Sequence, residues 1–399
     1  MKILQVADVS ASRVIGGAER FLSGQSTALA NRGHRVVIMT RMPEDCEQAR
    51  KTIGPVTEFR YRVNSDNPAA FFFSTLKNGK RLFDSLCRQY DFDVVNFHQP
   101  FSAYAVCRSP LCTGIKKIYT CHSLSFEEYV SRNPVPPGVI GRFFHALNVR
   151  GRRRVERYVL GRSDRIVVLS RYTANKLKVR HGIAPKKTVI IPGGVDLNRF
   201  YPARDKSALS RSLLVPENRV FLLTVRNLVP RMGLENLLKA LALVRLSVPD
   251  VFLVIGGSGP LRRPLESLAR DLGIADRVRF EGFIAEERLA DYYRAADLFV
   301  LPTRKLEGFG LVTLEAMASG TPVAGTPVGG TLEILGAFDP GFLFEDTSAE
   351  AMAHLLTRLC SSIKQDPGRW AALGKRCRKF VEARYSWDAN AVAMERLLQ

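Results

Sequence analysis

The sequence predicts an α/β fold of two doubly wound domains, each a parallel sheet covered by helices on both faces. Short apolar runs alternate with longer amphipathic segments along the chain, the pattern such a sheet requires. The pattern stops at a stretch rich in proline and glycine and then starts again. At 399 residues the chain is also too long for one ordinary core.

In chain order, strands are expected at 2–7, 35–40, 93–97, 116–120, 165–169 and 187–191. Ligands of such sheets bind beyond the carboxyl ends of the strands, so the residues after each strand carry the functional information. After the first comes Val14-Ile15-Gly16-Gly17-Ala18-Glu19, which opens a helix over 17–32 closed by Gly33. Its first N–H groups suit a phosphate or a hydroxyl. His98 follows the third strand and His122 the fourth, and Ser170 is placed to cap the helix after the fifth. The run from Pro192-Gly193-Gly194-Val195-Asp196 to Pro202 ends the last strand of this half. The expected domains are therefore 1–195 and 196–380.

The second half repeats the pattern with strands at 220–225, 251–255, 278–280, 298–301 and 322–324. Arg226 and Arg231 follow the first of these, Gly256-Gly257-Ser258-Gly259 the second, and Glu281-Gly282-Phe283 the third. The fourth leads into Glu307-Gly308-Phe309-Gly310-Leu311-Val312-Thr313-Leu314-Glu315, the most informative stretch of the chain. Gly308 and Gly310 let a ligand approach the backbone, and the helix starting near Leu311 directs N–H groups at it, which favours an anion such as a diphosphate. Glu307 in the loop and Glu315 on the inward helix face can accept hydrogen bonds from sugar and ribose hydroxyls.

Net charge is +21, and it is concentrated: residues 1–200 carry 33 Lys and Arg against 15 Asp and Glu. The excess is densest from 129 to 187 and suits an anionic partner, such as acidic lipid headgroups around a lipid-linked acceptor. Nucleic acid would also suit, but no RNP, helix-turn-helix or zinc motif occurs. No apolar run is long enough to span a bilayer, and the first residues read as a strand rather than a cleavable leader, so a cytoplasmic protein is expected. Seven cysteines without a C-x-x-C pair or histidines at zinc-finger spacing argue against disulfide and metal frameworks. Phe143-Phe144-His145-Ala146-Leu147 beside the arginines of 150–157, and Phe71-Phe72-Phe73 beside Lys77, Lys80 and Arg81, each read equally as an amphipathic helix on anionic lipid or as a core helix with a basic edge.

The Glu307–Glu315 passage, continued through Ala316-Met317-Ala318-Ser319-Gly320-Thr321-Pro322-Val323 to Gly329-Gly330, resembles the E-x7-E signature of retaining glycosyltransferases of family 4 in the GT-B superfamily. The likeness extends from Gly16-Gly17-Ala18-Glu19 to the Trp387 region. It implies a GT-B fold, two Rossmann-like domains facing across a cleft, with acceptor binding in the first, nucleotide-sugar binding in the second, and residues 381–399 crossing back to the first. It also implies roles. His98 would donate a hydrogen bond to the transferred sugar, in preference to His122 on the acceptor side. Gly16 and Gly17 would face the diphosphate and acceptor, and Gly259 and Phe283 would line the nucleotide pocket. Glu307 would hold the sugar, Glu315 the ribose, and Gly308, Phe309, Gly310 and Leu311 the diphosphate. Arg226 and Arg231 would neutralise the leaving group, Arg231 replacing the lysine that the family carries where this chain has Met232. The expected activity is metal-independent, retaining transfer from a nucleotide diphosphate sugar, UDP favoured, to a lipid-linked or cell-surface glycan precursor, with the protein peripheral on the inner membrane face and no further cofactor. Alternatives left open are a sugar-nucleotide epimerase, a non-catalytic sugar-nucleotide binder and a basic nucleic-acid-binding protein.

Overall fold

Eight strands build the first sheet among the residues that the computed structural model describes, which are 1–13 and 16–398. They are β1 (Lys2–Ala7), β2 (Arg35–Arg41), β3 (Arg50–Ile53), β4 (Val56–Tyr61), β5 (Val94–Phe97), β6 (Lys116–Cys121), β7 (Arg165–Val168) and β8 (Thr188–Ile190). Their order is β3-β4-β2-β1-β5-β6-β7-β8, parallel except for the β3–β4 hairpin. Leu4, Val6 and Val95 are fully buried, as expected of strands covered on both faces. The order turns back between β1 and β5, so the loops after these two strands flank a switch point.

A second, five-stranded parallel sheet comprises β9 (Val220–Val225), β10 (Val251–Gly256), β11 (Val278–Gly282), β12 (Leu298–Leu301) and β13 (Val323–Gly325), in the order β11-β10-β9-β12-β13. Its switch point lies between β9 and β12. The chain divides into two units, Met1–Gly194 with the helix from Trp387, and Val195–Ser386. Residues 381–386, grouped with the final helix in the sequence analysis, belong to the second unit, because helix Pro367–Arg384 runs through most of them.

The terminal helix Trp387–Leu398 packs on helix Gly17–Asn31 of the first unit. Trp387 meets Phe21 edge-on at 5.3 Å, Gln25 Nε2 donates to Asn390 Oδ1 at 3.0 Å, and Arg32 pairs with Glu395 at 2.8 Å. The β3–β4 hairpin was not anticipated, because Glu58 and Arg60 break the apolar run. Both are buried: Glu58 Oε1 accepts from Ser10 Oγ and the Ala11 N–H at 2.9 Å and from Thr40 Oγ1 at 2.8 Å, while Arg60 donates to Oε2 at 2.7 Å. A buried carboxylate satisfied on both oxygens thus tethers the loop that leaves β1.

Helix Pro68–Tyr90 is a core helix. Phe71 packs on Phe101 and Phe72 on Tyr104, leaving Phe73 exposed. No helix of the described residues is long and apolar enough to cross a membrane.

Candidate functional site

Topology makes the site of the second unit. Arg226 leaves β9 and the loop 302–310 leaves β12; these strands adjoin at the switch point, so residues 81 apart in sequence become neighbours. The Arg226 guanidinium donates to Glu307 Oε2 and, at 2.9 Å, to Thr303 Oγ1, which in turn donates to Glu307 Oε2 at 3.1 Å. Arg226 and Glu307 side chains are 7% and 10% exposed, so this is a charge-assisted pair in a poorly solvated place. Met232, at the position where a lysine was expected, sits against the same guanidinium with its Sδ 3.0 Å from Nη2. Arg231 is buried and its Nη1 donates to the Leu306 carbonyl at 3.1 Å, which holds the loop.

Gly310 is the N-cap of helix Leu311–Ala318, with φ 91°, a conformation that glycine adopts without a side-chain penalty. A cap without a side chain cannot fill the N–H groups of the first turn, so the positive end of the helix faces the loop. Gly329 closes the site from below: at φ 58°, a Cβ there would lie 1.8 Å from the Glu307 carbonyl oxygen, and the Gly330 N–H donates to that oxygen at 3.0 Å. Phe309 and Leu311 are buried, while Gly308 is half-buried. Glu315 is 1% exposed, and its Oε2 accepts from the Tyr293 hydroxyl at 2.9 Å. The Leu228 N–H donates to the Ser258 carbonyl at 2.9 Å, which lays the turn containing Gly259 against the loop after β9. Phe283, just past β11, is 57% exposed, an aromatic face open to a planar ligand.

In the first unit, Val14 and Ile15 of the glycine loop lie outside the described residues. Gly16 caps helix Gly17–Asn31, and the Glu19 carboxylate accepts the backbone N–H groups of Gly16 and of Glu19 itself, the return arm of a capping box. Burial nonetheless raises the Glu19 carboxyl above its ordinary value. Of the two occupants expected at Gly16 and Gly17, the carboxylate already at the helix terminus favours a hydroxyl over a phosphate.

His98 and His122 stack with ring centroids 5.4 Å apart. His98 Nε2 lies 2.7 Å from Gln5 Oε1, which can only accept, so Nε2 carries the proton. His98 Nδ1 then accepts from His122 Nε2 at 3.1 Å. Both nitrogens of His98 are engaged inside the protein and the residue is 2% exposed. In this arrangement His98 orients the half-buried His122, whose Nδ1 remains as an acceptor. Burial holds His122 down at about 4, and burial with the neighbouring His122 holds His98 well below its ordinary value.

Sequence reasoning missed Thr303, Tyr293 and the capping role of Glu19. Thr303 had a signal, since it lies two residues past β12; Tyr293, inside a helix with apolar spacing, is indistinguishable from a core residue. The chain also holds an Asp-x-Asp triplet, Asp91-Phe92-Asp93. It stands at the amino end of β5, where Asp93 accepts from the Lys2 N–H at 2.7 Å, at the opposite end of the strand from His98. Among the described residues no group of three or more His, Cys, Asp or Glu side chains is placed to hold a metal ion.

Comparison with known proteins covers both units. The family description "Glycosyltransferase Family 4" matches residues 15–199, and "Glycosyl transferases group 1" matches 205–383. A D-inositol 3-phosphate glycosyltransferase of Geodermatophilus obscurus is 33% identical over 341 residues, which are 79% of this chain and 71% of the relative. A GDP-mannose-dependent monoacylated alpha-(1-6)-phosphatidylinositol monomannoside mannosyltransferase of Corynebacterium glutamicum is 33% identical over 257 residues, 62% of this chain and 65% of the relative. The chain spans 62–65% of the length of this relative and of three similarly named mannosyltransferases. Among solved structures, the sucrose-phosphate synthase of Thermosynechococcus elongatus superposes with a TM-score of 0.83 at 26% identity, covering 100% of this chain and 98% of that one. The fold is GT-B.

Proposed function

This chain belongs to glycosyltransferase family 4, and we propose that it transfers a hexosyl group from a nucleoside diphosphate sugar to an acceptor hydroxyl, with retained anomeric configuration and without a metal ion. The observation that carries the proposal is the buried Arg226–Thr303–Glu307 cluster at the uncapped start of helix Leu311–Ala318. A departing diphosphate gathers charge, and two arginines with a helix N-terminus lie close by to receive it. In the reaction the acceptor oxygen bonds to C1 on the face from which the C1–O bond to the diphosphate breaks. The acceptor proton passes to the departing phosphate oxygen, so no side chain serves as nucleophile. Glu307 holds the sugar hydroxyls while Arg226 shifts its charge towards the phosphate. Glu315, oriented by Tyr293, takes the ribose, and Phe283 and Gly259 take the base side.

For the nucleotide, the sequence analysis favours uridine. Four relatives are named for GDP-mannose, and we take GDP-mannose as the donor to test first. The acceptor is assigned to the first unit, with His122 and the loop at Gly16 and Gly17 contacting hydroxyls. Relatives named for phosphatidylinositol monomannoside and inositol phosphate, together with the basic first half, support an anionic phosphate-bearing acceptor, lipid-linked and met at the inner membrane surface.

The test is release of nucleoside diphosphate from GDP-mannose and UDP-hexoses in EDTA, with an inositol phospholipid as acceptor and the product anomer read by NMR. An axial donor linkage giving an axial product is expected. An inverted product would overturn retention, strict dependence on added divalent metal would overturn the metal-free clamp, and an epimerised nucleotide sugar with no transfer would favour the epimerase alternative.

A further inference from the structure

Helix Val139–Arg162 of the first unit begins outside the core. Its buried residues, Glu156, Val159 and Leu160, all lie near its carboxyl end. Val139, Ile140, Phe143, Phe144 and Leu147, by contrast, are 84%, 74%, 63%, 60% and 54% exposed. At 3.6 residues per turn these five fall within about 140° of arc, on one face. The exposed Arg150, Arg154 and Arg157 continue that same face towards the packed end. The apolar segment extends over about 12 Å of helix axis, and Arg157 lies about 15 Å beyond Leu147.

Five adjacent large apolar side chains facing water are unfavourable in a lone soluble protein, and such a patch marks a surface that something covers. The arginines identify what. An apolar tip followed along one face by guanidinium groups matches the depth profile of an anionic bilayer, acyl chains first and phosphates about a headgroup layer behind. A cavity of about 360 Å³ adjoins the tip; Phe144 lines it together with Tyr129, Arg132, Asn133, His145 and Asn148. Its lining includes Arg132, held by Glu128 at 3.5 Å, together with the Tyr129 and Asn148 side chains, a cation with hydrogen-bonding groups that suits a phosphate with polar substituents. The Arg152 guanidinium stacks over the Tyr129 ring at 4.4 Å and steadies that wall.

We propose that residues 139–147 insert into an anionic phospholipid bilayer, with Arg150, Arg154 and Arg157 at the phosphate layer and the cavity at Tyr129 and Arg132 receiving a headgroup. The proposal rests on the membrane part of the reading above and identifies the element that does the docking.

Co-sedimentation with vesicles of phosphatidylglycerol and phosphatidylcholine, and of phosphatidylcholine alone, tests it at low and high salt. The wild-type chain is expected to bind the mixed vesicles at low salt. An Ile140→Ser, Phe143→Ser, Phe144→Ser variant is expected to bind at least tenfold more weakly at every salt concentration. An Arg150→Gln, Arg154→Gln, Arg157→Gln variant is expected to lose the preference for anionic vesicles and most of the salt dependence. All six positions are exposed, so unchanged thermal unfolding checks that the variants fold. Absence of wild-type binding at low salt overturns the proposal, as does equal binding by the variants. Concentration-dependent self-association abolished by the serine variant, with no vesicle binding, overturns it in favour of a second copy of the chain. Nucleotide-induced thermal stabilisation is measured on the same samples: its loss with vesicle binding intact counts against the transferase reading alone, and its presence without vesicle binding against this inference alone.

Discussion

Replacing Arg226 by methionine is expected to lower kcat/KM for transfer by a factor of about 10²–10³, the usual cost of removing one preorganised group from a developing negative charge. It is also expected to destabilise the second unit by about 3–5 kcal/mol, since Glu307 would keep a buried charge without its cation. The two losses separate. In the double variant Arg226→Met, Glu307→Gln the uncompensated carboxylate is gone, so most of the stability returns while turnover stays low. Urea unfolding and steady-state kinetics on the wild type and the two variants read this directly. Recovery of activity along with stability in the double variant would mean that the pair holds the loop after β12 and nothing more, and that the leaving group is neutralised elsewhere.

Acidification from pH 6.5 to 4 is expected to remove on the order of 3 kcal/mol of stability from the first unit through His122 alone. In the unfolded chain both imidazoles take up protons near pH 6.5, whereas in the folded protein burial holds His122 at about 4 and His98 well below its ordinary value. Across this window the unfolded state binds more protons, so the contribution is fully present above pH 6.5 and lost as pH falls towards 4. Trp387 reports on it: it packs on Phe21, whose ring also meets His122 at 4.8 Å. Urea titrations followed by Trp387 fluorescence, in a Trp370→Phe background, should show a steep loss over this range. The slope should flatten in His98→Gln, His122→Asn. An equal slope in that variant would mean that neither imidazole is held neutral by its surroundings.

What the sequence showed and what it hid follow from the range of the interactions. Strand periodicity and helix starts are local, so β1, β9 and the helix at Leu311 were legible from their own residues. The Arg226–Glu307 contact was not, because it depends on β12 lying beside β9, a fact of strand order that no window of sequence contains. The β3–β4 hairpin was hidden by Glu58 and Arg60, a buried ion pair whose charges read as solvent-facing until Ser10, Ala11 and Thr40 are seen around it. Glu19 was visible in the quoted Gly16-Gly17-Ala18-Glu19 motif. Its spacing from the helix cap already encoded the glutamate arm of a capping box, which favours the hydroxyl of the two occupants that the glycines alone left open. His98 lies after β5 as its sequence position indicates, whereas its burial and its hydrogen bonds to Gln5 and His122 depend on β1 and β6 lying beside β5 and were hidden. Phe71-Phe72-Phe73 and Phe143-Phe144 look alike as sequence; packing onto Phe101 and Tyr104 made the first a core element and left the second open.

Binding of a nucleotide sugar by the second unit, through arginines and a helix terminus, is decided by thermal unfolding of the metal-free protein. GDP-, UDP- and ADP-sugars and their free diphosphates are compared in EDTA, because a ligand at 100 times its Kd stabilises the protein by about 2.7 kcal/mol whatever the acceptor. The account predicts a shift selective for one nucleotide, absent in Glu315→Gln, which keeps a hydrogen-bond acceptor for Tyr293. No shift with any of them, in a protein that unfolds cooperatively, would contradict it and leave Met232 as the mark of a site that no longer binds a donor.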